Sequence, residues 1–164
     1  MQRLKLLLAA GLIAALPGLA SAQGANIAFG ADSYDPEAPV EVSADSLSVD
    51  QSDGSAIFSG NVVAAQGELR LSASEIRIEY TDGDQREISR LIATGGVTVA
   101  TGEEAAEAAE AVYAFDAQTT TMSGEVLLTQ GSTAISGDNL TIDLDTGTGV
   151  MEGRVRTILQ PSSL

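Results

Sequence analysis

Histidine, cysteine and tryptophan are absent from the 164-residue chain, lysine occurs once, and phenylalanine and tyrosine occur three times each. Each absence closes off chemistry. Without imidazole or thiol there is no Ser-His-Asp triad, no cysteine nucleophile, no disulfide, and no zinc or haem site of the usual ligand types. Side-chain catalysis would have to run on carboxylates alone. Asp138 and Asp143 could pair as glycosidases require, but sugar sites usually stack their substrate on aromatic rings, which are scarce here. Asp143-Leu144-Asp145-Thr146-Gly147 has the acids of a calcium loop without the EF-hand spacing. No cofactor, no metal and no enzymatic activity are expected.

Basic charge is the next shortage. Arg3 and Lys5 precede an apolar run of eleven residues, Leu6 to Leu16, and Ala20-Ser21-Ala22 supplies a small-x-small cleavage site. This is the pattern of a secretory signal, with cleavage expected after Ala22. The run is too short for a membrane anchor, which needs about 20 residues. Taking Arg3 and Lys5 from the eight bases leaves six, all arginine, against 23 acids, a net charge of −17 for the mature chain. Such a chain repels phosphate backbones and anionic membrane surfaces, so no nucleic-acid partner is expected. An exported protein that does not depend on oxidative folding remains.

What the chain does have is repetition. Gly-x-Val occurs at Gly60, Gly95, Gly124 and Gly153, at intervals of 35, 29 and 29 residues. Small residues form a second series, Ala44, Ala73, Ala108 and Gly137, at intervals of 29, 35 and 29. Both describe one 29-residue period, lengthened by six residues around Thr81 to Arg86, where an enlarged hairpin loop is expected. Within each copy apolar and polar residues alternate, the signature of a half-buried strand. The phase then slips by three: Leu69, Leu71 and Ala73 give way to Ile76, Ile78 and Tyr80, and Thr133, Ile135 and Gly137 to Leu140, Ile142 and Leu144. A slip at a small residue predicts a bulge or corner where a strand bends from one sheet to another.

Glu103 to Ala111 has helix-forming composition, whereas the repeat frame aligns Ala111, Tyr113 and Phe115 with the inward strand positions Ile76, Ile78 and Tyr80. The frame predicts strand for 111–115 and leaves 103–107 open between the two. The expected architecture is all-β: a dozen or more short antiparallel strands from about four repeats, bent at corners into two sheets around an apolar interior. Residues 23–39 read as a flexible lead-in before a domain spanning 40–164. An array that does not close leaves edge strands at Val40 to Ala44 and Val155 to Leu159.

Val40 to Asp45, Phe58 to Val63 with Gln66-Gly67 and Leu69, Gly124 to Gly131 with Gly137-Asp138-Asn139-Leu140, and Val155 to Ser162 together resemble the LptA/OstA-like family of periplasmic lipopolysaccharide-transport proteins. The resemblance runs from about Val40 to the C-terminus. It implies a slightly twisted β-jellyroll, open at both ends, in the periplasm. It implies that the acyl chains of lipid A are bound in an apolar groove lined by Val40, Val42, Val99, Tyr113 and Phe115, with Ile78 and Ile142 at the positions equivalent to Tyr113. It further implies head-to-tail self-association through Val40 and Val42 at one edge and Val155, Thr157 and Leu159 at the other. The partners implied are LptC-like inner-membrane and LptD-like outer-membrane proteins. The competing expectation is an exported structural or adhesive repeat protein with no lipid, since inward apolar residues in a sandwich are usually core.

Overall fold

A computed structural model describes residues 25–30, 35–82 and 86–160. The expected signal segment and its cleavage site lie outside them. Eleven antiparallel strands form one continuous sheet: β1 (Ala25–Ala28), β2 (Val40–Ser43), β3 (Ser46–Val49), β4 (Ala56–Gln66), β5 (Leu69–Tyr80), β6 (Ile88–Thr101), β7 (Glu104–Ala114), β8 (Thr119–Gln130), β9 (Thr133–Asp143), β10 (Thr148–Glu152) and β11 (Arg156–Leu159). The strand order is β1-β10-β9-β8-β7-β6-β5-β4-β2, with β3 also on β4 and β11 also on β9. No helix occurs among the described residues. The two expected sheets are therefore two leaves of one sheet folded over a shared crease.

The crease is made by the Gly-x-Val repeats. Two consecutive residues take positive φ at Gly60-Asn61 (82° and 47°), Gly95-Gly96 (83° and 82°), Gly124-Glu125 (84° and 52°) and Gly153-Arg154 (76° and 48°). In the first three, these two residues stand against one on a neighbouring strand. Ser59 pairs with Glu75 and Val62 with Ala73, so Gly60 and Asn61 face Ser74 alone. Gly95 and Gly96 face Ala109 in the same way, and Gly124 and Glu125 face Asp138. A bulge of this kind bends the strand and turns the residues beyond it to a new direction. The extra residue thus sits at the glycine series, and the small-residue series lies on neighbouring strands at the bend.

Glycine is required there for two reasons. Positive φ disfavours any Cβ, and there is no room for one: a Cβ on Gly95 would lie 2.7 Å from the Ser74 side chain, and one on Gly124 2.7 Å from Ala109 Cβ. Ser74 Oγ also donates to Gly95 O at 2.6 Å. At the outermost creases the facing residues are Asp45 and Asp138, whose backbone N–H groups donate to Gly60 O and Gly153 O, each at 2.9 Å. Their carboxylates accept from the residue after each glycine, Asn61 Nδ2 at 2.9 Å and Arg154 at 2.5 Å.

Alternation decides the rest. Leu71 and Ala73 are buried, then Ile76 and Ile78, as the slip by three requires. Glu104–Ala114 is strand throughout, so helix propensity loses where Ala106, Ala111 and Tyr113 can be buried between the leaves. The six-residue insertion falls in the β5–β6 connection, closed by Thr81 N donating to Glu87 O at 2.9 Å. The expected lead-in is corrected at Ala25–Ala28: these residues are β1, paired with β10 at the far end of the sheet.

The crease geometry separates two costs of adding a methyl group. Gly96 has open space where its Cβ would stand, so Gly96→Ala is expected to cost only the backbone strain, about 1–2 kcal/mol. Gly124→Ala adds the displacement of Ala109, roughly 1–3 kcal/mol more. Denaturant titration of both variants reads the difference; equal costs would show that crowding at the crease is unimportant.

Candidate functional site

Folding the sheet over places long rows of inward residues face to face. In the first leaf, one row follows the hydrogen-bonded register from Val42 through Ala64, Leu71, Val99, Ala106, Leu128 and Ile135 to Thr157. In the second leaf, one row runs from Leu47 through Phe58, Ile76, Ala93, Ala111, Met122 and Leu140 to Met151, whose register partner in β1 is Ala25. A parallel row joins Val49, Ala56, Ile78, Leu91, Tyr113, Thr120, Ile142, Gly149 and Ile27. These rows are the candidate site: an apolar interior running from one open edge to the other.

Five of the seven expected lining residues lie on these rows, and Val40 and Phe115 lie off them. Ile78, Tyr113 and Ile142 share one row and are buried, as is Val99 across from them; Val40, Val42 and Phe115 are half-buried. Tyr113 and Phe115 stack, with centroids 4.3 Å apart and rings inclined by 22°. Burial falls away at the edges: Leu47 and Val49 are 57% and 60% exposed at one end, and Leu159 is 72% exposed at the other. Of the expected edge residues, Thr157 and Leu159 lie in β11, and Val155 lies just before it.

Alternation put Gln66 in phase with Val62 and Ala64, yet sequence reading gave it no role. The buried amide joins the leaves. Tyr113 Oη, from the second leaf, donates to Gln66 Oε1 of the first at 3.0 Å. Gln66 Nε2 donates in turn to Pro36 O and Ala38 O, both at 3.2 Å. A second closure lies toward the other end: Phe29 is buried and its N–H donates to Gly147 O at 2.8 Å, while Gly30 N donates to Glu104 Oε2 at 2.8 Å. The segment read as a lead-in therefore holds the lips of the two leaves at both places. Between the leaves, the cavity bounded by Val40, Leu71, Leu91, Val99 and Tyr113 measures about 20 Å³, room for about one water molecule.

The ion pairs stay outside. Arg77 pairs with Asp53, Arg90 with Glu79 and Arg154 with Asp138, each at 2.5 Å. The Arg154 guanidinium holds the Asp138 carboxyl below the ordinary carboxylate range. Asp143 Oδ1 accepts from Thr146 N at 2.9 Å, so this acid organises the β9–β10 turn. None of these groups faces the rows, and the acidic pair considered for sugar chemistry is engaged in a crease and a turn.

A single folded antiparallel sheet with an apolar interior and unpaired terminal strands is the architecture of an open jellyroll. Residues 41–148 match the family described as LptA/(LptD N-terminal domain) LPS transport protein, and the chain belongs to that family. It is 27% identical over 135 residues to an uncharacterized protein of Rhizobium meliloti (strain 1021), covering 76% of this chain and 73% of that one. Its fold matches LptH of Pseudomonas aeruginosa, the LptA homologous periplasmic component of the conserved lipopolysaccharide transport device, with a TM-score of 0.68. The match has 18% identity and covers 77% of this chain and 99% of that one. Proteins of the LptA kind are transport proteins, not enzymes.

Tyr113→Phe leaves the Gln66 amide without its donor in a buried site. The expected loss is about 1–2 kcal/mol of stability, together with faster amide hydrogen exchange along the lips around Gln66. Unchanged exchange there would show that this bond does not hold the leaves together.

Proposed function

We propose that this protein is a periplasmic bridge component that carries lipopolysaccharide from the inner to the outer membrane. The lipid A acyl chains lie between the leaves, and protomers stack head to tail through their edge strands. LptC-like and LptD-like proteins are the partners at the two ends. The observation that carries this reading is the continuity of the apolar rows between two open edges, with Leu47 and Val49 exposed at the row ends on one edge and Leu159 exposed on the edge strand β11 at the other. Core packing alone gives no reason to leave large apolar residues at both ends of the interior.

Energetics favour acyl chains as the ligand. Each buried CH₂ contributes roughly 0.8 kcal/mol, so several chains outweigh repulsion between head-group phosphates and a solvated acidic face. The phosphates stay outside the groove, screened or bridged by divalent cations, because Arg77, Arg90 and Arg154 already face acids. A cavity of about 20 Å³ does not hold an acyl chain. Loading therefore parts the leaves, and the bonds of Gln66 and Gly30 across the lips are those that give way.

Stacking has a register. Ser43 and Arg156 end the same row of the first leaf, so copies stacked without slip set Ser43 of one beside Arg156 of the next. Glu41, two residues along, then lies diagonally from Arg156, about 7–8 Å away, within reach of a long side chain. In β11, Gln160 N donates back to Ser132 O, so by alternation the N–H groups of Thr157 and Leu159 point to the open side.

Three outcomes are expected. Phe115→Asp weakens lipopolysaccharide binding while the protein stays folded by circular dichroism; undiminished binding counts against an acyl groove. Thr157→Pro removes an outward donor without breaking a bond to β9 and shortens assemblies in sedimentation velocity; identical assemblies defeat edge pairing. Depleting the protein leaves lipopolysaccharide at the inner membrane. The closed interior also suits an exported structural repeat protein without lipid, and normal surface delivery after depletion would favour that second reading.

A further inference from the structure

The two leaves do not end flush. At one edge both stop on single strands, β2 in the first leaf and β3 in the second. At the other edge the first leaf stops on β11, whereas the second carries β1 outside β10. Counted across, the first leaf has eight strand segments and the second nine. The ninth comes from the opposite end of the chain.

Its placement matches that of β3. Both strands run from crease to lip. By register, Leu47 and Ala25 end one row, and Val49 and Ile27 end the next. A second copy set against this edge without slip would lay its β3 antiparallel on β10. Its Leu47 would stand beside Met151 and its Val49 beside Gly149, the positions that Ala25 and Ile27 hold. The exposed pair Leu47 and Val49 would thereby gain the burial that Ile27 now has. With β1 in place the incoming β3 meets β1 instead, running parallel to it and one strand too far out for β2 to reach β11.

We propose that β1 is a self-donated cap, occupying the edge of β10 that β3 of a second copy takes when protomers stack, so that β1 must leave before the second leaf can join. The proposal rests on the head-to-tail reading above. Tethering to its own chain favours β1 when protein is dilute, through effective concentration. The incoming β3 gains once β11–β2 pairing has brought the next copy into place. Release has a second consequence. Phe29 follows β1 directly and is buried between the lips, Ala28 O accepts from Gln130 Nε2, and Gly30 N is bonded to Glu104. Withdrawing β1 draws Phe29 out, so stacking and opening of the interior become one event.

The chain's lack of cysteine makes a clean test. Ala28 and Thr148 face each other across β1 and β10 and are exposed, at a cross-strand separation that a disulfide spans. In a chain carrying Ala28→Cys and Thr148→Cys, sedimentation velocity over a concentration series compares the oxidised and reduced forms. The oxidised form is expected to lose assembly across the range in which the reduced form assembles, because a locked β1 cannot leave the edge of β10. Leu47→Asp is expected to abolish assembly in either form. Equal assembly of oxidised and reduced protein, with Leu47→Asp still blocking it, overturns the cap and leaves stacking intact. Absence of assembly in every form, or assemblies indifferent to Leu47→Asp, overturns stacking and the cap together.

Discussion

Two successive left-handed residues, placed where a neighbouring strand offers one, are what turn a flat ladder into a container. At Gly60-Asn61, Gly95-Gly96 and Gly124-Glu125 the bulged pair bends its strand. Because the bulges recur with the repeat they line up, and the sheet folds along one crease. Every inward row depends on that alignment. A bulge displaced by one residue would exchange inner and outer faces over half a leaf, setting Val63 and Ala65 inward and Val62 and Ala64 outward. The absence of a Cβ at the glycines is therefore a condition for the interior to exist.

The same folding leaves a consequence at each end. Antiparallel strands added in sequence bury the middle of every row, and at the β3 edge two rows end in exposed Leu47 and Val49. Closure along the lips is made separately, by the Gln66 amide reaching Tyr113 and the backbone of Pro36 and Ala38, and by Phe29 and Gly30 reaching Gly147 and Glu104. These are few polar bonds around an extensive apolar contact. Such a molecule keeps its crease while its lips part, since the crease is backbone geometry and the lips are held by replaceable hydrogen bonds. That division of rigidity suits the lipid-carrying role proposed for it.

Legibility in the sequence followed the range of the interaction. Alternation and the slip by three are local, and they correctly faced Ile78, Tyr113 and Ile142 inward on one row. At Glu104 to Glu107, where the frame left helix and strand open, the chain is strand, because an alanine-rich strand whose Ala106 and Ala111 are buried gains from packing what it lacks in intrinsic preference. Gln66 carried a signal, an amide in an apolar phase, but nothing local announced its partners. β1 carried almost none: Ala-Asn-Ile-Ala is too short to show a period, and its partner is Met151 at the other end of the chain.

What the amino-acid order determined alone is the repeat, the strand periodicity, a bend at each slip by three and the set of residues able to face inward, all properties of neighbours within one turn or one strand. Only the tertiary structure decided that the cavity between Val40, Leu71, Leu91, Val99 and Tyr113 is about 20 Å³, that Gln66 ties the leaves, and that the first strand crosses to the last edge. Those outcomes depend on which distant surfaces meet, and a chain's local pattern does not encode the competition between its own β1 and any other strand for the edge of β10.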